Sequence, residues 1–361
     1  MGNARRGRTP RSGARGALIA TLLAALGFIA VGCGGGSPSR VEPDARVAAT
    51  GRTGQAGPTR PTDSAGAAPD RAAAPSPGDS VPGPLWIHVL RVTSRSGGGD
   101  AILVADSTVV PARHALIDAG DGGEAAAALE RLGVSALDLM VLTHAHHDHY
   151  GGMGAVLAAV PVRAFAFTGQ PRTATTYRRL LERIEESVPL VIVVDSVRRI
   201  RFGDGEDATV LTLIPPLPTF LDYTGDDGVR LNEASLAVRV ERGAFAFLTT
   251  GDAEIRANRW FASNFAELVD VDVLKLGHHG SSDATQPFWL DATTPAVAVI
   301  SANGTTHPYA AVIALVEERG VELFCTPQHG DVRIRVDRDG GYMVLTDAPP
   351  GVRCEPGSRA P

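Results

Sequence analysis

Lysine and long apolar runs are scarce in this chain of 361 residues. Lys275 is the single lysine beside 33 arginines, which indicates codon bias, so the arginine count by itself does not predict anion binding. The longest apolar run, 17–32, is shorter than the roughly 20 residues that a membrane-spanning helix usually needs. The glycines at 97–99 carry no Gly-Lys-Ser/Thr and precede a strand-like run, which excludes a P-loop there.

The first 33 residues have the features of a bacterial export signal. Five arginines and no acidic residue precede the apolar run, which ends in Ala-Val-Gly before Cys33. The run has the length of a signal-peptide core. Residues 1–33 therefore resemble a lipoprotein signal in which Cys33 is acylated, and the alternative is an uncleaved signal anchor. We expect a lipoprotein outside the cytoplasm, on the periplasmic side or the cell surface, attached to the membrane through Cys33.

Residues 34–83 are rich in Gly, Pro, Ala and Ser and contain no aromatic residue. Such a segment buries too little apolar surface to offset its ordering entropy, which predicts a disordered tether. Residues 84–348 are long enough for one α/β domain, and 349–361 form a tail. Without residues 1–32 the formal net charge goes from −6 to about −11. This acidity disfavours sequence-independent DNA binding, which depends on many Lys/Arg–phosphate contacts.

Short β-rich runs alternate with helical patterns through the predicted domain. LWIHVLRV, AILVAD and HALIDAG predict an opening antiparallel meander, and GGEAAAALERLG predicts a helix that ends at Gly133. Two such alternating series without an internal repeat predict an αββα sandwich, two sheets with helices outside. Cys325 and Cys354 could form a disulfide or remain free thiols, and the sequence does not decide between them.

Four of the ten histidines lie between positions 144 and 149, directly after the apolar run LDLMVL. Because alternate side chains of a strand point to one side, His144 and His146 can bind one cation, while Asp148 and His149 reach a second. Imidazole and carboxylate ligands suit zinc, with iron and manganese as alternatives. Two metals about 3.5–4 Å apart can activate a bridging hydroxide at neutral pH. The cluster is therefore predicted to be a metal-binding loop.

Other strand ends supply further candidates. LIDAG ends a strand with Asp118, and LTTGDAE presents Asp252, where a carboxylate could bridge two metals. KLGHHGSS brings His278 and His279 to the end of another strand. Lys275 in the same run is either a phosphate contact or an ordinary structural lysine.

These residues resemble a known family. THAHHDH matches the His-x-His-x-Asp-His motif of the metallo-β-lactamase-fold hydrolases, and the order of the later motifs follows that family over almost all of residues 86–345. GDAILV, NEASLAVRVERGAFAFLTTGDAE, DVLKLGHHGSS and CTPQHGDVRIRVD are similar to the extracellular domain of ComEC-type competence proteins. Stand-alone relatives of that domain include exported phosphodiesterases.

The resemblance implies three groups of site residues. The metal ligands would be His144, His146, Asp148, His149, Asp252 and His278. Residues with a part in the reaction would be Asp148, His279 and Lys275, with His279 as a proton-transfer or orienting group. Residues that orient or line the site would be Asp118, Ser235, Asn303 and His307.

Two departures from the family pattern stand out. Many members supply a third histidine to the first metal between the cluster and the Gly-Asp motif, but no histidine occurs from 150 to 277. The first metal would then be weakly held unless His307 completes its ligands. The ComEC-type LDVGQGD is here LRVTSRSGGGD, so contacts from that loop are not carried over.

The leading interpretation is an exported, lipid-anchored hydrolase with two zinc ions (manganese or iron as alternatives), a phosphodiesterase using a metal-activated hydroxide. Its substrate would be a small-molecule or cell-envelope phosphoester, with nucleic acid less favoured because the chain is acidic. β-Lactams fit the competence-type resemblance less well. The alternative is a non-catalytic or weakly active accessory lipoprotein for DNA uptake or cell-envelope binding. A redox di-iron protein of this fold would carry a flavin- or rubredoxin-like partner domain, and this sequence contains no such pattern.

Overall fold

The computed structural model describes residues 83–92 and 98–360. The predicted signal peptide with Cys33 and the predicted tether up to residue 82 lie outside the described residues. Within them, two β-sheets pack face to face and helices cover their outer faces. The predicted αββα sandwich is thus confirmed. No helix in this part of the chain is both long and apolar enough to cross a membrane.

The first sheet contains eight described strands. They are β1 (Leu85–Val89), β2 (Ile102–Asp106), β3 (Arg113–Ile117), β4 (Leu139–Val141), β5 (Ala164–Phe167), β6 (Leu190–Val193), β14 (Val332–Val336) and β15 (Tyr342–Leu345). Their spatial order is β15-β14-β1-β2-β3-β4-β5-β6. Strands β1 to β3 form the predicted antiparallel meander, whereas β3 to β6 run parallel.

The second sheet contains seven described strands. They are β7 (Arg198–Phe202), β8 (Thr209–Ile214), β9 (Ala237–Arg242), β10 (Phe245–Thr249), β11 (Val273–Lys275), β12 (Val297–Ile300) and β13 (Glu322–Cys325). Their spatial order is β13-β12-β11-β10-β9-β8-β7. Strands β7 to β10 are antiparallel, and β10 to β13 are parallel because helices connect them.

Ten α-helices lie in the described residues. They are α1 (Glu124–Arg131), α2 (His147–Tyr150), α3 (Met153–Ala159), α4 (Thr175–Ser187), α5 (Gly228–Asn232), α6 (Ile255–Asn264), α7 (Ala266–Val269), α8 (Pro287–Thr293), α9 (Ala310–Glu318) and α10 (Thr326–His329). Short 3₁₀ turns occupy Pro218–Phe220 and His278–Gly280. The longest helix, α4, buries Tyr177, Leu180 and Ile184, which its 3.6-residue period places on one face.

The core between the sheets comes from strict alternation along the strands. Leu85, Ile87 and Val89 of β1 are fully buried there, and their neighbours in β14 are Ile334 and Val336 among others. Each such side chain contributes roughly 1.5–3 kcal/mol by leaving water. The intervening residues of the strands face the helices on the outer side. This packing fixes the strand ends, and the loops at those ends carry the predicted site.

The tail of the chain is tied to the second sheet. Cys354 forms a disulfide with Cys325 at the end of β13, with 5.5 Å between their Cα atoms. His329 Nε2 lies 3.2 Å from the carbonyl oxygen of Val352 nearby. The structure therefore resolves the choice that the sequence left open between a disulfide and two free thiols.

Candidate metal centre

Four loops that follow strands bring the expected site residues to one edge of the sandwich. In the first sheet, Asp118 follows β3 and His144–His149 follow β4. In the second sheet, Asp252 follows β10 and His279 follows β11. Each of these strand pairs is parallel, so the carboxyl ends of its strands meet at the same edge. Both sheets thus contribute to a single cluster.

His144, His146 and Asp252 form the first group of this cluster. His144 Nε2 lies 3.0 Å from His146 Nδ1 and 3.9 Å from Asp252 Oδ2. One candidate ligand atom from each of the three residues lies within 4.8 Å of the others. Burial lowers the pKa of His144 well below its usual value and that of His146 to about 4. Both imidazoles are therefore neutral at pH 7, which is the form that binds metal ions.

Asp148, His149 and His279 form the second group, whose candidate ligand atoms also lie within 4.8 Å of one another. His279 Nε2 lies 3.4 Å from Oδ2 of Asp148 and 3.4 Å from Oδ2 of Asp252. His149 Nε2 lies 3.2 Å from the same oxygen of Asp252. Asp252 therefore contacts both groups, as a carboxylate between two cations would.

Buried polar atoms converge between the two groups. His149 Nε2 and His279 Nε2 have no partner besides the carboxylate contacts given above, and Asp252 Oδ1 has no hydrogen-bond partner. Burial disfavours the charged imidazoles, but nearby carboxylates, Asp252 foremost, raise the pKa of His149 and His279 well above its usual value. The carboxylates thus concentrate negative charge in the cluster, and this charge favours the binding of cations there. Imidazole nitrogens and carboxylate oxygens around such a space fit divalent metal ions.

Asp118 supports the second group from behind. Its carboxylate accepts hydrogen bonds from the backbone N and Oγ1 of Thr143 at 2.8 and 2.7 Å. It also accepts one from His149 Nδ1 at 2.7 Å. That bond directs the other ring nitrogen of His149 toward Asp252. Asp118 lies where the sequence analysis expected an orienting residue.

His278 and His279 occupy the opposite positions from those expected. Both have left-handed backbone φ angles, 44° and 54°, and their rings lie 6.0 Å apart at 67° to each other. The tight turn directs the buried His279 toward Asp148 and Asp252. His278 remains at the rim, with Nδ1 3.3 Å from Glu254 Oε1. In this geometry His279, and not the expected His278, lies among the candidate donors of the second group.

Lys275 is unsuited to contacting a substrate. Its side chain is 0% exposed and forms an ion pair with Asp100. Burial by itself would raise the pKa of Asp100, but Lys275 and His279 together lower it. Asp100 Oδ1 also lies 3.6 Å from His279 Nδ1. The expected reactive lysine is therefore corrected to the counter-charge of a carboxylate that the sequence analysis overlooked, although Asp100 stands in the quoted motif GDAILV.

The three remaining candidates differ in their relation to the site. Ser235 Oγ accepts a hydrogen bond from the backbone N of Asp252 at 3.3 Å. Asn303 Oδ1 instead accepts from the backbone N of Thr305, 2.8 Å away, and so shapes its own loop. The His307 ring lies 5.6 Å from that of His278 and 6.0 Å from that of His279. His307 is absent from the first group of donors, which corrects the suggestion that it completes the ligands of the first metal.

Two further polar residues at the site were missed. Glu254 is buried, and its Oε1 accepts a hydrogen bond from Asn232 Nδ2 at 2.9 Å. Asn232 Nδ2 also lies 3.5 Å from His278 Nε2. Asn232 and Glu254 are the first and the last residue of the run NEASLAVRVERGAFAFLTTGDAE.

Residues 96–304 match the sequence profile described as Metallo-beta-lactamase superfamily. The chain is 29% identical over 252 residues to Competence protein ComA of Neisseria gonorrhoeae, covering 68% of this chain and 32% of that protein. It is 27% identical over 220 residues to ComE operon protein 3 of Bacillus subtilis (strain 168), covering 59% and 26%. The match therefore spans less than a third of the length of each of these relatives. A solved structure described as a metal-dependent hydrolase of the β-lactamase superfamily aligns with a TM-score of 0.46 and 14% identity, over 73% of this chain and 100% of that one.

Proposed function

Because this chain belongs to the metallo-β-lactamase superfamily, we propose that it is a phosphodiesterase with two metal ions bound on either side of Asp252. Membership supports a metal-dependent hydrolase, and the proposal adds the substrate class. The observation that carries it is the contact of one buried carboxylate with both groups of donors. Paired metals suit phosphodiesters because they stabilise the attacking and the leaving oxygen together.

The residues of the two groups would hold the ions. The proposed ligands are His144 and His146 for the first metal, Asp148, His149 and His279 for the second, and Asp252 for both. Zinc suits this set, with manganese and iron as alternatives. Divalent ions in such sites act as Lewis acids and make water nucleophilic near neutral pH.

The surrounding residues position the donors and shape the opening. Asp118 holds the ring of His149, and Asp100 with its counter-charge Lys275 lies against His279. His144, His149 and His279 are each at most 1% exposed, so bulk water has almost no contact with them. His278, with 26% of its side chain exposed, lies at the open side. A substrate would enter there.

A phosphodiester of the cell envelope or of a small molecule is the proposed substrate. One relative is named a competence protein, and the ComEC-type domain that this sequence resembles has exported phosphodiesterases among its stand-alone relatives. The formal net charge of −6 disfavours a nucleic-acid backbone as the substrate. Because the match spans less than a third of each relative, whatever else those proteins do is not transferred to this chain.

A second candidate function is a non-catalytic or weakly active accessory protein at the envelope, for DNA uptake or for binding. One observation favours it. A catalytic metal with an open position normally has three protein ligands besides the water or substrate. The first group reaches three only by sharing Asp252 with the second metal. A weakly held first metal would then limit the reaction.

Attachment to the membrane through Cys33 remains part of the proposal. It is supported by the charged, apolar and small-residue segments in front of this cysteine. Expression of wild type and Cys33→Ala with labelled palmitate tests it. Label and membrane association are expected for wild type alone, and equal labelling of both would contradict the anchor.

The test of the proposed function combines metal content with hydrolysis of bis(p-nitrophenyl) phosphate by the full-length chain. Wild type should contain about two metal ions per chain and should hydrolyse the ester. Asp148→Ala should lose metal and at least about 100-fold in activity, because it removes a ligand of the second metal. Asp195→Ala, at an exposed surface ion pair, is the matched control and should behave as wild type.

The outcomes separate the two candidate functions. Two metal ions without hydrolysis of any phosphoester would favour the accessory protein. A wild-type chain without metal, or full activity in Asp148→Ala, would contradict the phosphodiesterase.

A further inference from the structure

The first metal group has three donors and the second has four, when the shared Asp252 is counted with both. The three residues of the first group, His144, His146 and Asp252, are the full set of His, Cys, Asp and Glu found together there in the described part of the chain. Because Asp252 is shared, this position has fewer donors of its own than the second one. Asn is outside that set, but its amide oxygen is a known ligand of divalent cations.

Asn232 lies on the helix that approaches His146. It is the last residue of α5, and its side chain is buried. At the first residue of this helix, a Cβ atom on Gly228 would lie 3.9 Å from Cε1 and Nε2 of His146. Residues four positions apart share a helix face. Asn232 therefore lies on the face of α5 that is turned toward His146.

The turn after α5 is fixed to both loops that carry the first group. The backbone N of Leu236 donates to the carbonyl oxygen of Thr143, directly before His144, at 3.0 Å. Ser235 accepts from the backbone N of Asp252 and donates its own backbone N to the carbonyl oxygen of Asn232 at 2.9 Å. Asn232 is thus held next to the two loops at once.

The amide of Asn232 is held in one orientation, and only its nitrogen has a hydrogen-bond partner. Nδ2 donates to Glu254 Oε1 at 2.9 Å, while Oδ1 is buried without a hydrogen-bond partner. A carboxylate only accepts hydrogen bonds, so Glu254 selects the NH₂ side of the amide and leaves the oxygen on the other side. Buried polar atoms without a partner are rare, and a missing ion is one of their ordinary explanations.

We propose that Asn232 Oδ1 is the additional ligand of the first metal and that Glu254 is the positioning residue that aims it. This proposal rests on the proposed function, since it concerns one of its two metal ions. An amide oxygen is a harder ligand than the imidazole found in many family members. The first position should therefore accept manganese more readily than an all-histidine site would.

The experiment is a calorimetric titration of metal-free, full-length chain with Mn²⁺ and with Zn²⁺, together with elemental analysis. Wild type should bind two ions. Asn232→Ala should bind one of them at least tenfold more weakly and the other unchanged. Glu254→Gln should weaken the same position several-fold, because glutamine can also donate and no longer selects the orientation of the amide. Asn264→Ala, at an exposed asparagine whose amide donates to the backbone of its own helix, is the matched control and should match wild type.

Asn232→His keeps the test decisive if the alanine variant does not fold. A third imidazole at this position should bind Zn²⁺ at least as tightly as wild type and shift the preference away from Mn²⁺. Equal affinities in wild type and folded Asn232→Ala, or Asn232→His with an unchanged Zn²⁺/Mn²⁺ preference, would overturn the inference while the two-metal function stands. Wild type that binds no metal would overturn both.

Discussion

Asp118 and His149 are joined by a 2.7 Å hydrogen bond between Oδ2 and Nδ1, which leaves Nε2 of the ring facing Asp252. Asp118→Asn should weaken binding of the second metal about 10- to 100-fold, because an amide does not fix the ring and its tautomer in the same way. Competition with a chromogenic chelator measures this. Asp138→Asn, which alters a partly exposed ion pair with Arg113, is the control, and equal affinities in both variants would contradict the role of Asp118.

The two consecutive histidines should respond differently to substitution. His279→Ala should lose one metal ion per chain, because its ring contacts Asp148 and Asp252. His278→Ala should retain both ions, because its ring lies at the rim against Glu254. Elemental analysis of the two variants decides the matter. Loss of metal from His278→Ala alone would restore the original expectation.

Substitution of Lys275 should lower the stability of the fold and should not weaken substrate binding directly. Lys275→Met leaves the buried Asp100 without its counter-charge and should lower the free energy of unfolding by about 3–5 kcal/mol. Urea unfolding in the presence of a chelator measures this change apart from metal binding. The double variant Asp100→Asn/Lys275→Met should recover part of the loss. A fully stable Lys275→Met with a raised KM would instead identify Lys275 as a substrate contact.

His88 should make the fold sensitive to acid. Burial lowers its pKa to about 4, an effect that Asp331 opposes and Arg333 and Arg131 reinforce. In the unfolded chain its pKa is about 6.5, so the unfolded state takes up the proton first as the pH falls. The stabilisation by neutral His88 is complete above pH 6.5 and is lost between there and about pH 4.

This loss amounts to about 2 kcal/mol between pH 7.5 and pH 5. His88→Gln has no such proton to bind, so its free energy of unfolding should fall by about that much less over the same interval. Urea unfolding at the two pH values measures the difference. Equal declines in wild type and His88→Gln would show that the histidine is not buried as described.

The disulfide should contribute a measurable share of the stability. Cys325 and Cys354 are 29 residues apart, and closing a loop of this size in the unfolded chain is worth about 3–4 kcal/mol in the chain-entropy account. Cys354→Ser should lower the melting temperature, and wild type in reducing agent should show the same loss. No change in either sample would mean that the tail is already fixed by its other contacts.

Much of the fold and part of the site could be predicted from the sequence. Short apolar runs alternating with helices predicted the two sheets, and the similarity to competence proteins is confirmed by the relatives found. Asp118, the 144–149 cluster and Asp252 were recognisable because each follows a strand directly. The choice between His278 and His279 was not, because it depends on the left-handed backbone of both residues. The sequence of two adjacent histidines does not indicate that backbone conformation.

Ion pairs between residues far apart in the sequence were a second feature that could not be predicted. Asp100 and Lys275 are 175 positions apart, so nothing in the sequence indicated that the only lysine had a buried partner. The contact between Asn232 and Glu254 was overlooked for another reason. Asparagine is a less common metal ligand than histidine or aspartate, and the orientation of its amide depends on its hydrogen-bond partner.

The cluster takes its donors from both sheets, with Asp118 and His149 on one and Asp252 and His279 on the other. Neither half of the chain contains a complete binding site, and the unfolded chain holds these donors too far apart to act together. The order of events follows from this: the sheets must pack before the cluster can bind its ions tightly. If the chain is exported unfolded, as the proposal has it, it would arrive without metal ions and would take up those of the compartment in which it folds.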